Sequence, residues 1–155
     1  MPKLEPVGED YFERAPQRFV HAWSIARPAE NVWAELVGEQ PLHWLRGLRL
    51  QWTSSRPFGV GTTRQGTMMG GTMTLDERFF IWEEGRRCAF YGTKTSVPTI
   101  KSFAEDSVVE PEGPDHCRFT WRIAMTPSRL GRLSAPMNRL SANRTFRDTS
   151  RYFNA

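Results

Sequence analysis

Heavy and light positions alternate near the start of the chain. Phe19, His21, Trp23 and Ile25 fall on one side and Val20, Ala22 and Ser24 on the other, the period of a strand over 18–25 with one heavy face. The period changes at Pro28, which suits a first helical turn; Val32, Trp33, Leu36 and Val37 then recur at helical spacing until Gly38 stops them. A second short helical turn is expected over Pro41–Leu45.

From Leu48 to Thr126 the pattern is that of strands, over 48–54, 60–69, 72–82, 87–95, about 100–110 and 116–126. Pro57 with Gly59, Gly70-Gly71, Glu83-Glu84-Gly85, Val97-Pro98 and Pro111 to Pro114 break them. Such short connections predict antiparallel neighbours, since a parallel pair needs a crossover. The last strand alternates most cleanly, with Cys117, Phe119, Trp121, Ile123 and Met125 on the side expected to face a core. After Pro127, Leu130, Leu133, Met137 and Leu140 repeat at helical spacing, which predicts a long helix from about Ser134 with that arc turned inward.

A chain of 155 residues has room for one domain, here expected as an arm over 1–17 and a single folded unit over 18–155. No apolar run approaches a membrane span, the first ten residues lack the apolar core of a secretory signal, and two cysteines make no disulfide framework; a cytoplasmic protein is expected. The net charge of +4 invites a polyanion as partner, but its distribution is uneven. Residues 127–155 hold six arginines (129, 132, 139, 144, 147 and 151) against Asp148 alone, a net +5, which leaves −1 for the rest.

The order strand, helix, helical turn, six antiparallel strands, long helix resembles the helix-grip fold of the START and birch-pollen-allergen (SRPBCC) superfamily. The run from Ile25 through Pro28 to Val32-Trp33, Trp44 followed by Gly47, Val60-Gly61-Thr62, Trp82 to Arg86 and Cys117 to Arg122 are similar to its bacterial polyketide cyclase/dehydrase and lipid-transport branch, except that Arg27 intervenes before Pro28. The resemblance implies an α+β fold: a seven-stranded curved antiparallel sheet wrapped around the C-terminal helix, with two short helices between the first two strands. It also implies an apolar cavity between sheet and helix, for a lipid, sterol or polyketide, with a loop gate at Gly70, Gly71, Val97, Pro98 and the start of the last helix.

On the strand over 72–82, Met73, Leu75, Phe79 and Ile81 share a side with Glu77, and that side is expected inward. Arg144 lies four residues after Leu140 and seven after Met137, within the apolar arc. His21, Glu77 and Arg144 are therefore expected to point at one interior, as partners or as ligand contacts. Arg144 or His21 would hold a carboxylate, phenol or ketone oxygen, while Glu77 orients it or acts as a base, which makes Glu77 and His21 the candidate catalytic groups. Trp23, Tyr91, Trp121, Met125, Met137 and Leu140 complete the candidate ligand contacts, the tryptophans either stacking on a ring or filling the core. Arg64, Glu105 and Tyr91 lie on strands whose facing the pattern leaves open.

No Cys or His pair has metal-ligand spacing, no nucleotide fingerprint occurs, and neither metal nor other cofactor is expected. Three functions remain: a binder of a hydrophobic small molecule; a cyclase, aromatase or dehydratase of the polyketide type; or an interaction protein using the arginine-rich helix on anionic lipid or nucleic acid. The first is favoured, with no nucleic-acid partner, no integral membrane contact, and a monomer or homodimer.

Overall fold

Over residues 49–127 the connections between successive strands are too short for a crossover, so chain neighbours there pair antiparallel. The computed structural model describes residues 1–155 and places β1 (Gln17–Ile25), β2 (Arg49–Trp52), β3 (Thr63–Met68), β4 (Met73–Glu83), β5 (Arg87–Thr95), β6 (Ile100–Pro111) and β7 (Cys117–Pro127) in one sheet of order β1-β7-β6-β5-β4-β3-β2. Three helices complete the fold: α1 (Tyr11–Arg14) in the N-terminal arm, α2 (Ala29–Val37) between β1 and β2, and α3 (Ala135–Phe153) at the end. After α2, a turn over residues 41–45 is closed by the Leu45 N–H on the Leu42 carbonyl at 3.0 Å. This is the α+β helix-grip arrangement that the family resemblance implies. Its inner core gathers Trp23 and Ile25 from β1, Trp33 and Leu36 from α2, and Phe119 and Trp121 from β7.

The phase of α3 differs from the expected one. Ala142, Phe146, Thr149 and Phe153, at i, i+4, i+7 and i+11, are its buried residues. Leu130, Leu133, Met137 and Leu140 lie on the solvent side, and Arg144 is exposed with them. The rotation has a polar cause as well as an apolar one. Two indoles seek partners on the helix: Trp23 Nε1 donates to Ser150 Oγ at 2.7 Å and Trp44 Nε1 to Thr149 Oγ1 at 2.9 Å. Trp44 also stacks on Tyr152, with ring centroids 4.6 Å apart.

The N-terminal arm is more ordered than its sequence suggests. Tyr11, Phe12 and Ala15 bury against Ala89, Ala104 and Ala124, three small residues on β5, β6 and β7 that leave a shallow seat on the outer face of the sheet. Asp106, buried on that face, accepts from Arg87 Nε at 2.9 Å and Arg122 Nη2 at 2.7 Å, while the same arginines reach Glu9 and Glu13 of the arm. Pairing of β5 with β6 ends at Tyr91 opposite Ala104; beyond it, Leu4 N–H donates to the Thr93 carbonyl and Glu5 N–H to that of Lys101, so the arm's backbone fills the gap. Asp106→Asn is expected to cost about 2 kcal/mol in urea unfolding, because both charge-assisted bonds weaken, and to speed proteolysis within residues 1–15.

Candidate functional site

The cluster of ionisable groups inside the fold is built on β3, β4 and β6. Gly70 and Gly71, with φ of 65° and 90°, turn the chain between β3 and β4 in a conformation that side-chain-bearing residues rarely adopt, and the ladder on either side sets Arg64 opposite Glu77. Both side chains are buried, at 4% and 5% exposure, and Arg64 Nε donates to Glu77 Oε2 at 2.5 Å. The guanidinium sits about 5 Å from the ring centroids of Trp52, Phe79 and Phe90, at 5.2, 5.1 and 5.0 Å, an aromatic enclosure that suits a weakly hydrated planar cation. Burial pushes the Glu77 carboxyl up, and Arg64 pulls against it.

Glu105 on β6 completes the cluster. Trp121 Nε1 donates to its Oε1 at 3.0 Å. Burial, then repulsion from Glu77, pushes its carboxyl up to about 8, against the pull of Arg64 and the indole bond. The shift favours the protonated carboxyl at neutral pH, a form with Oε1 engaged by the indole and an O–H to offer. Arg64, Glu105 and Trp121 line a small, partly open cavity of about 20 Å³, with Leu36 of α2, Leu42 of the following turn, Cys88 and Ser107 among the remaining walls; Glu77 stands behind Arg64 and is not on the wall. That space admits about one water molecule. It lies beneath α2 and the 41–45 turn, and α3 contributes no wall to it.

The expected trio of His21, Glu77 and Arg144 is not assembled. Glu77 is interior, Arg144 is on the solvent side of α3, and His21 is exposed on the edge strand β1, its ring 4.5 Å from that of Trp23 and 5.6 Å from Phe146. Three strands separate β1 from β4, which sets His21 and Glu77 about 19 Å apart at ordinary strand spacing, too far for shared proton transfer. Tyr91 is on the outer face, packed on Phe80 in the cluster under the arm. Ile81 joins that cluster too, because a register shift between Phe79 and Ile81 reverses the facing of β4 and brings Trp82 to the inner core instead. Trp23, Trp121 and Met125 are in the inner core, Trp121 on the cavity wall; Met137 and Leu140 are exposed.

The segments expected as a gate meet at one end of the sheet. Ser96 Oγ donates to the Thr72 carbonyl at 3.1 Å, which ties the turn after Gly70-Gly71 to that at Val97-Pro98. Ser128 Oγ donates to the Pro98 carbonyl at 2.6 Å, and a Cβ on Gly131 would stand 1.9 Å from the Thr99 carbonyl oxygen, so the chain leading into α3 lies directly on the β5–β6 turn. Elsewhere, a depression of about 340 Å³ on the outer face is walled by Arg87 and Arg122, both committed to Asp106. Burial pushes the Cys88 thiol up to about 12, which removes it as a nucleophile at neutral pH. No helix is long and apolar enough to cross a membrane, and no three potential metal ligands gather.

A curved antiparallel sheet closed by a C-terminal helix over a partly polar interior defines a protein of the helix-grip class. Residues 16–153 match the family described as polyketide cyclase / dehydrase and lipid transport, and the chain belongs to that family. An uncharacterized protein of Mycobacterium tuberculosis (strain H37Rv) and one of Mycobacterium bovis are each 34% identical to it over 159 residues, 97% of this chain and 93% of theirs. Among solved structures, a START superfamily protein from Mycobacterium smegmatis superposes with a TM-score of 0.68 at 12% identity, over 86% of this chain and 92% of its own. Major latex-like protein 151 from Panax ginseng gives 0.64 at 17% identity, over 88% and 97%. These two likenesses are of fold.

Proposed function

We propose that the chain binds a neutral, oxygen-bearing hydrophobic small molecule, sterol-like or polyketide-like, with its oxygen end at Arg64, Glu77 and Glu105. The observation that carries this reading is the placing of Arg64 and Glu105 on the wall of a small interior cavity, with Glu77 bound to Arg64 among aromatic rings. Desolvating them is costly, and an apolar core of the same volume would serve stability as well or better. Family membership supports the ligand class.

Charge arithmetic favours a neutral ligand. Arg64 and Glu77 cancel, and Glu105 is protonated, so a ligand carboxylate would bring an unbalanced charge into a dry interior or compete with Glu77 for Arg64. A ketone or phenol oxygen can instead accept from the Glu105 O–H. The body of the ligand needs more than the space of one water. Room for it comes from the first turns of α3, where no side chain before Ala142 is buried, and the loops at Gly70-Gly71 and Val97-Pro98 form the gate. Buried free thiols at Cys88 and Cys117 suit a reducing cytosol.

Thermal unfolding with added cholesterol, an anthraquinone polyketide and palmitate tests this. At 100 times Kd a ligand stabilises by about 2.7 kcal/mol, which for a chain of this length raises Tm by about 5–10 °C. The neutral ligands are expected to do so and palmitate is not. A shift with palmitate alone would refute the charge argument.

One feature favours a catalytic second reading: burial and Glu77 push the Glu105 carboxyl up to about 8, while Glu77 accepts from Arg64, two environments that set an acid apart from a base. Cyclisation or dehydration of a poly-β-ketone by the wild type, lost in Glu105→Gln and Glu77→Gln, would select that reading over a passive binder.

A further inference from the structure

The apolar arc that the core does not use ends up on the surface. Leu130, Leu133, Met137 and Leu140 are 75%, 93%, 67% and 62% exposed, four large hydrophobic residues within eleven positions. Met69, in the turn beside Gly70-Gly71, is 72% exposed as well. Scattered exposed leucines need no explanation, but a contiguous run does. This run follows Ser128, which is fixed to Pro98 and Thr99, so its backbone is held at the loop end of the sheet.

Its charge is equally one-sided. All six arginines of residues 127–155 are exposed, and neither they nor Asp148 makes an ion pair. Of the twelve arginines elsewhere in the chain, seven (Arg14, Arg27, Arg56, Arg64, Arg86, Arg87 and Arg122) are paired with carboxylates, whereas in this segment none of the six is. The net +5 of this segment is thus not neutralised by the protein. On α3, Met137 and Leu140 share one stripe with Arg144, Arg147 and Arg151, at i, i+3, i+7, i+10 and i+14, opposite the buried face. Apolar side chains at the loop end therefore grade into a cationic collar along the helix.

We infer that this surface docks on an anionic lipid bilayer, with Leu130, Leu133, Met137 and Leu140 entering the headgroup boundary and the arginines binding lipid phosphates. An amphipathic segment with leucines beside arginines and low net hydrophobicity lies in the interface plane instead of spanning it. Each arginine adds attraction to an anionic surface, and the apolar contacts add a part that salt does not screen. That second part sets a bilayer apart from a nucleic acid, whose phosphates offer the leucines nothing. The docking is independent of whether the interior cavity takes a ligand.

The test is co-sedimentation of the full chain with vesicles of phosphatidylcholine, alone and with about one-third phosphatidylglycerol. The wild type is expected to bind the anionic vesicles at least about tenfold more tightly than the neutral ones, with salt reducing but not abolishing binding. Leu133→Asp and Met137→Asp change exposed side chains, leave the far-ultraviolet circular dichroism unchanged, and are expected to weaken binding about tenfold or more. Arg139→Gln with Arg144→Gln, two of the six arginines, should remove about one-third of the salt-sensitive part. Failure of the wild type to sediment with anionic vesicles overturns the inference, as does binding that Leu133→Asp leaves intact. Retention on heparin or duplex RNA without vesicle binding points to nucleic acid and overturns it; so does a dimer in sedimentation velocity that Leu133→Asp dissolves, again without vesicle binding.

Discussion

Arg64→Ala is expected to destabilise the protein by about 3–5 kcal/mol, and Glu77→Ala by a similar amount, because each leaves the other charge buried without its partner. The double replacement Arg64→Met with Glu77→Leu is expected to fall within about 1–2 kcal/mol of the wild type, since two apolar side chains of similar volume need no desolvation. Urea unfolding of the four proteins completes the cycle, and a coupling energy of about 2 kcal/mol or more is expected between side chains in contact. Additive losses would mean that the pair is screened by water and that the interior is wetter than the burial of both residues indicates. The cycle also separates two roles: a core that gains nothing from the ion pair retains it for something other than stability.

Stability is expected to fall as pH rises from about 5 to about 8. In the unfolded chain Glu105 loses its proton near the ordinary carboxyl value, whereas in the folded protein it keeps it until about 8. Between those values the folded state binds the extra proton, so the contribution of Glu105 is fully present below the unfolded pKa and lost through the folded one. The slope is about 1.4 kcal/mol per pH unit, reaching about 4 kcal/mol over the window, and the raised carboxyl of Glu77 acts in the same sense. Glu105→Gln keeps an acceptor for Trp121 and cannot titrate. Its stability is expected to be flatter across this range, with the largest gain over the wild type at pH 8. Parallel curves for the two proteins would show that Glu105 is ionised and solvated at neutral pH.

Much of this site is legible in the residues, though not by alternation alone. A hairpin centred on Gly70-Gly71 pairs each residue of β3 with the residue of β4 equally far from the turn, and that counting sets Arg64 against Glu77. The turn thus carries the information that the facing of β3 does not. Glu105 is harder to find because both faces of β6 are covered, the inner by the core and the outer by the arm. Asp106 and Ala104 on the outer face are therefore more buried than Phe103, Glu105 and Ser107 on the inner one, and polarity no longer marks a side. On β4, one register shift after Phe79 exchanges Ile81 for Trp82, a local event that no period records.

The phase of α3 misleads for a different reason. Its strongest apolar run is the exposed one, and the inward face, Ala142, Phe146, Thr149 and Phe153, contains a small residue and a hydroxyl. That hydroxyl is there because Trp44 needs an acceptor. A pattern that counts hydrophobic residues follows the surface in this helix; one that asks where the indole N–H groups go finds the core. His21 fails through topology, since alternation gives it the correct face but not its place on the edge strand.

The interior cluster as the holder of a ligand's oxygen is tested most directly by mass spectrometry of the natively purified wild type and of the Arg64→Met, Glu77→Leu double variant, with cholesterol and an anthraquinone polyketide supplied in equal amount to both. The wild type is expected to retain a neutral oxygen-bearing hydrophobic molecule at close to one equivalent and the stable double variant to lose it. Equal retention by both proteins, or none by the wild type with either molecule, would contradict it.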